Sequence, residues 1–179
     1  QVAAAQIAEF IAARLETELD TRGVPYDLIR AVLGAPCPDL LDAYDRALAL
    51  RDLRAAGGDF DAVITAATRT ANIVRGPKTE TDLTVDPDAL ADPAERALWA
   101  AWQEAREELT AALTGDERDY EAAWRALGGL REPIDRFFEG VLVMAEDESV
   151  RRNRLALLAA VNDLFLRLLD VQQVVTEGA

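Results

Sequence analysis

The sequence predicts an all-α protein, a helical bundle of seven to eight helices forming one domain over residues 1–179. Three observations predict it. Half the residues are apolar but only 6% are aromatic, and the apolar set is mostly Ala and Leu, which are strong helix formers. Apolar residues recur three and four apart along most of the chain, and no stretch alternates with the period of a half-buried strand. The breaks between stripes fall on Gly, Pro and Asp, and most are short enough to join antiparallel neighbours.

The first helix spans roughly Ala4 to Arg22 on the stripe Ile7, Phe10, Ile11, Leu15 and Leu19, and Gly23 ends it. Pro25 opens a short second helix that buries Leu28, Ile29, Val32 and Leu33. Asp39 is placed to cap a third, which packs through Leu40, Leu41, Tyr44, Ala47 and Leu48 as far as Gly57-Gly58. The fourth opens at Asp59 and buries Phe60, Val63, Ile64, Ala67, Ala71 and Val74. Its opposite face shows Thr65, Arg69, Asn72 and Arg75.

Residues 76–92 are rich in turn formers and acids. So long a connection is expected to be the most mobile internal segment. Asp92-Pro93-Ala94-Glu95 has the pattern of a capping box with Pro at the first helical position. The fifth helix then runs to about Thr114 on Leu98, Trp102, Ala105, Leu109 and Leu113, and the sixth from Asp116 to Gly128-Gly129. Ile134, Phe137, Phe138 and Val141 make the stripe of the seventh. The eighth is the longest, from about Ser149 to Val175.

One cysteine and no histidine exclude an internal disulfide framework and a zinc cluster, and remove the commonest general base. Cys37, between Pro36 and Pro38, has no histidine to activate it and reads as structural. No phosphate-cradling glycine loop or nucleophile elbow occurs, so no catalytic residue is assigned. The acidic run Glu104, Glu107, Glu108 and Asp116-Glu117 lacks calcium-loop spacing and reads as a solvated face, so no metal ligand is assigned. No run of about 18 apolar residues is present to span a membrane. The chain starts at Gln and is expected to be a fragment of a longer one.

The net charge of −14 is unevenly spread. Residues 1–78 carry 9 basic and 11 acidic side chains, residues 79–149 carry 6 and 19, and residues 150–179 carry 4 and 3. A surface built from the first and last thirds can therefore still meet an anion. All but one of the 19 cations are Arg, which binds bidentately and stacks on bases.

Two groups are candidates for such a surface. Arg69 and Asn72 lie three apart on one helix face, and Arg75 extends it. They read either as an RNA-contacting face or as an ordinary solvated face with Arg69 paired to a carboxylate. The second group is Arg151, Arg152 and Arg154, in the first turns of the eighth helix, where cations oppose the helix dipole. Arg154 falls on the apolar stripe and is expected to form a structural ion pair with Glu146 or Asp147. Arg151 and Arg152 are then left for a phosphate, and Asn153 caps, braces the acidic elbow Glu146-Asp147-Glu148-Ser149 or reads a base. Trp102 and Trp124 read as core, and Trp99 lies off the main stripe.

The stretch from Phe137 to Leu158 contains F-F-x-x-V-x-V-M-A-E-D-x-x-x-R-x-N-R-L-A-L-L. It resembles the C-terminal helical segment of bacterial glycyl-tRNA synthetase β subunits, an anticodon-binding domain of the type found in the arginyl and cysteinyl enzymes. Residues Phe10 to Leu33 resemble the same family. So does the A-A-x-R-x-x-N-I pattern of Ala66, Ala67, Arg69, Asn72 and Ile73, although Thr68 stands where the family usually has a basic residue. The tail Gln172-Gln173-Val174-Val175 does not fit the pattern and receives no function.

The resemblance implies a cytoplasmic domain that binds tRNA(Gly), with Arg69, Asn72, Arg75, Arg151 and Arg152 as RNA-binding residues. It implies no cofactor in this domain, ATP and Mg being used by a separate catalytic α subunit in a heterotetramer. It implies neither DNA nor a membrane as partner. The alternatives are an arginyl-type anticodon-binding domain and a helical protein-interaction module.

Overall fold

The computed structural model describes residues 2–37, 39–75, 84–115 and 117–176, with side chains from Phe10 onward. Eight α-helices and no strand occur among them. They are α1 (Val2–Thr21), α2 (Tyr26–Gly34), α3 (Leu40–Ala55), α4 (Phe60–Val74), α5 (Pro93–Ala112), α6 (Tyr120–Gly128), α7 (Arg131–Gly140) and α8 (Glu148–Leu166). Short 3-10 turns lie at Pro87–Ala89 and Val171–Gln173.

Four of the eight helix starts are set by an aspartate whose carboxylate takes an orphan N–H of the first turn. Asp39 accepts from Leu41 N at 3.0 Å, Asp119 from Ala122 N at 2.8 Å and Asp147 from Ser149 N at 2.8 Å. At α5 both halves of the capping box form: Asp92 accepts from Ala94 N, and Glu95 from Asp92 N, each at 2.8 Å. The sixth helix thus takes Asp119 as its cap; Asp116 lies outside the described residues. Pro133 is in the first turn of α7, where no intrahelical partner for its nitrogen is needed. Between α3 and α4 the chain turns through Gly57 and Gly58, at φ of +79° and +77°, a region open to glycine at little cost.

Helix α4 packs most extensively on α8 and also lies on α7 and on the turn at Val171–Gln173. Helix α5 packs on α6, α7 and α8, while α2 joins α3 to that same C-terminal turn. Ile29, Leu50, Ile64, Leu109, Phe137 and Phe165 are among the large side chains buried where these helices meet. Each contributes about 1.5–3 kcal/mol by leaving water.

Four helices depart from the sequence reading. In α1, of the side chains described, Leu19 is buried but Phe10 is 72% exposed; Ile7 lies outside the described side chains. The nine residues of α2 span about 13 Å, too little to cover a helix of 20 residues. In α3 the buried face is Asp42, Ala43, Arg46, Ala47 and Leu50, with Leu40 and Leu41 exposed. A buried ion pair between Asp42 and Arg46 turns the helix away from its apolar stripe.

Helix α7 stops at Gly140, so Val141 lies beyond the helix. Val141 and Val143 point inward while Leu142 and Met144 are exposed, a period of two. Helix α8 ends at Leu166 and does not reach Val175. Leu168, Leu169, Asp170 and Val171 are all buried, and four successive residues cannot share one face of a helix. Arg46 donates to the freed Leu168 carbonyl at 3.2 Å, and Asp170 N donates to Ala31 O at 2.7 Å.

Of the connection 76–92, residues 76–83 lie outside the described residues, and with them Leu83. The rest is fixed by Leu90, which is buried, and by Asn153. That amide pairs with the backbone of Asp86 in both directions, accepting from its N–H at 2.7 Å and donating to its carbonyl at 2.9 Å.

Candidate nucleic-acid interface

Arg69, Asn72 and Arg75 all lie on the exposed side of α4, as the three- and four-residue periodicity of the helix requires. Each is engaged by a residue far away in sequence. Arg69 is 45% exposed, bonds Asp135 of α7 at 3.1 Å and lies over the Phe138 ring at 4.5 Å from its centroid. Arg75 is 37% exposed and donates to Asp170 at 3.0 Å and to the Gln172 side-chain carbonyl at 2.5 Å. Gln172 in turn donates to the Asn72 carbonyl oxygen at 2.9 Å.

This face is therefore neutralised as well as basic. Asp135 and Asp170 offset two of its cations, and Asp135 comes from the acidic middle of the chain. A phosphate arriving here exchanges with carboxylates that already hold the arginines in place. The side chains are held in one geometry: the Arg69 guanidinium lies over an aromatic ring, and the Asn72 amide, three residues on, is held by Gln172.

Sequence periodicity gives no sign of Asp135 or Gln172 at this face. It marks Phe138 only as part of an apolar stripe, and Phe138 is half-buried, edge-on to Phe137 at 5.6 Å. Nothing in local spacing marks Gln172, because its partners lie about a hundred residues away.

The arginines of α8 divide differently from the expectation. Arg151, expected to meet a phosphate, donates to the Ala145 carbonyl at 2.9 Å and braces the chain before α8. Arg154 is a structural ion-pair residue, but its partner is Glu95 of α5, not Glu146 or Asp147. It also donates to the Leu142 carbonyl at 2.8 Å. Asp147 instead caps α8, and the hydrogen bond from the Ser149 hydroxyl, with those from the Ser149 and Val150 amides, holds its carboxyl below the usual range. Arg152 is exposed and lines an open pocket of about 290 Å³ with Thr84, Asp86, Ala89, Ser149 and Asn153. Asn153 braces the segment before α5, not the elbow. Arg69 and Arg75 are thus held by α7 and the tail, whereas Arg151 and Arg154 are held by Ala145, Leu142 and Glu95.

Two other clusters are structural. Asp42, buried, accepts from Tyr120 at 2.7 Å, Arg118 at 2.9 Å and Cys37 at 3.2 Å, and pairs with Arg46. Burial opposes its charge, yet the hydrogen bonds from Tyr120 and Cys37 and the two guanidiniums hold its carboxyl low. Burial, then the bond to Asp42, pushes the Tyr120 hydroxyl up to about 12. Burial also raises the Cys37 thiol, which disfavours the reactive thiolate. Trp124 is buried and stacked on Phe60 at 4.5 Å; Trp99, half-buried, stacks on Trp102, whose indole N–H donates to Ala160 O at 2.9 Å.

A family model described as the DALR anticodon binding domain matches residues 63–175. The chain is similar to the glycine–tRNA ligase β subunit of Desulforudis audaxviator, with 40% identity over 170 residues, covering 95% of this chain and 24% of that protein. The corresponding subunit of Moorella thermoacetica is 41% identical over 170 residues, again 95% and 24% of the two chains. That of Acidithiobacillus ferrooxidans is 39% identical over 167 residues, 93% and 24%. The chain spans about a quarter of the length of these relatives. With well over half its residues matched by that model, most of α4 and the whole of α7 and α8 included, the chain belongs to the DALR anticodon binding domain family.

Proposed function

We propose that this chain is the tRNA-binding part of a glycine–tRNA ligase β subunit and that it docks the anticodon loop on α4, α7 and the tail. The observation that carries the reading is the exposed row Arg69, Asn72 and Arg75, fixed by Asp135, Phe138, Gln172 and Asp170 within the family-matched region. Arg69 supplies charge and a stacking plane, and Asn72 supplies a polar edge for a base. Arg152, exposed near the start of α8, is a further phosphate contact at the edge of the docked RNA. The glycine-specific names of the similar proteins favour tRNA(Gly) over tRNA(Arg) as the ligand.

In the whole enzyme this domain would present tRNA to a catalytic α subunit, which uses ATP and Mg to attach glycine. It would need no cofactor of its own and would work in the cytoplasm. No helix among the described residues is long and apolar enough to cross a membrane.

A filter-binding titration of the 179-residue chain with tRNA(Gly) and tRNA(Arg) tests the reading. Tighter binding of tRNA(Gly) is expected. Preference for tRNA(Arg) would transfer the assignment to the arginyl type, and no tRNA binding at all would overturn it. The chain alone is expected to form no glycyl-tRNA in the presence of glycine and ATP.

A further inference from the structure

The tail after α8 is tied to α2 at two points. Asp170 N donates to Ala31 O at 2.7 Å, and Val175 N donates to the Asp27 carboxylate at 2.9 Å. Asp27 and Ala31 are four residues apart and share one face of α2. The Asp27 oxygen that takes Val175 N also takes Nη1 of Arg54, at the end of α3, at 2.8 Å. Nη2 of Arg54 donates to the Val175 carbonyl at 2.6 Å. One ion pair thus grips both backbone polar groups of Val175. The Val175 side chain is 68% exposed, so these bonds and not its burial hold it. Asp27 stands in the first turn of α2, where the helix dipole favours an anion.

Between the two ties the chain makes the turn Val171–Gln173, which lies between α2 and α4. Gln172 is in the middle of that turn. Its side-chain carbonyl accepts from Arg75 at 2.5 Å, and its amide nitrogen donates to Asn72 at 2.9 Å. On the inner side Asp170, buried, accepts from Gln172 N at 3.2 Å and holds Arg75 at 3.0 Å. On the outer side the next tie is the Asp27–Arg54 clasp, three residues beyond Gln172. Among the described residues no hydrogen bond or ion pair joins Asp27 or Arg54 directly to Arg69, Asn72 or Arg75.

We infer that Asp27 and Arg54 are positioning residues for tRNA binding, acting through Val175 and Gln172 on Asn72 and Arg75. A chain end that is not tied down frays. Release of Val175 leaves Gln172 fixed from one side only, and Asn72 and Arg75 then have to be ordered when the RNA arrives, which weakens binding. Both residues lie ahead of the family-matched region, residues 63–175. The inference rests on the tRNA-binding reading above and extends the binding apparatus to α2 and α3, which touch no RNA in it.

The test is the affinity of the 179-residue chain for tRNA(Gly), with melting measured in parallel, for the parent, Asp27→Ala, Asp27→Asn, Gln172→Ala and the double variant Asp27→Ala with Gln172→Ala. Asp27→Ala is expected to weaken binding about fivefold, at an unchanged salt slope because no phosphate contact is lost. Asp27→Asn keeps one oxygen able to accept both bonds and should bind close to the parent. In the Gln172→Ala background Asp27→Ala should have no further effect, since its route to the face is already cut. A merely structural role would weaken binding equally in both backgrounds. Should Asp27→Ala fail to fold, which melting reports, a chain ending at Gln173 removes Val175 and takes its place in both backgrounds. The inference is overturned if the released tail binds tRNA(Gly) like the parent, or if its loss is the same with and without Gln172. A parent that binds no tRNA(Gly) would overturn the underlying reading instead.

Discussion

Glu95 serves two helices at once. One carboxylate oxygen closes the capping box of α5 on Asp92 N, and the other pairs with Arg154 of α8. Glu95 is almost fully buried, so removing its cation leaves a charge in the interior without a counter-ion. Arg154→Ala is expected to cost about 3–5 kcal/mol, read by chemical denaturation, with tRNA affinity of the folded fraction unchanged. Normal melting with lost tRNA binding would place Arg154 among the RNA contacts. A structural pair was legible at Arg154 because a charge on an apolar stripe requires a partner. Its identity was not, since Glu95 is 59 residues away and carries no spacing signal.

Tyr120 gives a second prediction at this scale. Its hydroxyl titrates higher in the fold than its ordinary value of 10.0, at about 12. A raised value means that the fold favours the protonated form. The resulting stability is complete below pH 10 and is lost as pH rises towards 12. Asp42, whose carboxyl is held low, works in the opposite direction: its contribution is present above its unfolded value and is lost as pH falls through the folded one. Tyr120→Phe should abolish the part of the alkaline decline that belongs to this group, followed by denaturation at several pH values. An unaltered alkaline decline would show that Tyr120 ionises elsewhere than in this bond.

Among the elements, the helices were legible wherever a stripe and a cap agreed. The capping box of α5 and the Asp39 cap of α3 formed as the residues dictate. The sequence misled where a buried polar group decided the geometry. Asp42 and Arg46 rotate α3, and the run Leu168 to Val171 ends α8 early so that Asp170 can bond Ala31 and Arg75. Periodicity counts such polar residues as solvent-facing, so it cannot anticipate their burial. Asn153 is a further case, for its amide holds the chain ahead of α5 by two bonds to Asp86. Asn153→Ala should cost about 1–3 kcal/mol and speed hydrogen exchange at the Asp86 amide. Unchanged protection at Asp86 would mean that Leu90 alone fixes the segment.

For the whole molecule, the charge census located the acidic bulk but not the final balance of the candidate face. Arg69 and Arg75 were legible on one side of α4, whereas their carboxylate partners come from α7 and the tail. Those partners lower the net charge of the face and hold its side chains in one geometry. That favours readout of a base over simple attraction of phosphate. The anticodon-binding assignment and the helical bundle both followed from residues 137–158 and the stripes. The tail contributed nothing to that reading, yet it supplies Gln172 to the face.

On the proposed function, tRNA docks on the α4 face and not on the acidic outer side of α5. The most direct test of this is tRNA(Gly) binding at several salt concentrations by the parent, by Arg69→Ala and Asn72→Ala on α4, and by Glu104→Lys and Glu107→Lys on α5. Arg69→Ala should weaken binding and make the salt slope shallower by nearly one unit. Asn72→Ala should cost ~1–3 kcal/mol and relax discrimination between tRNAs at an unchanged slope, and the two α5 reversals should add only a weak attraction that does not discriminate between tRNAs. Docking on α4 is contradicted if both α4 variants bind like the parent while the α5 reversals alter which tRNA is preferred.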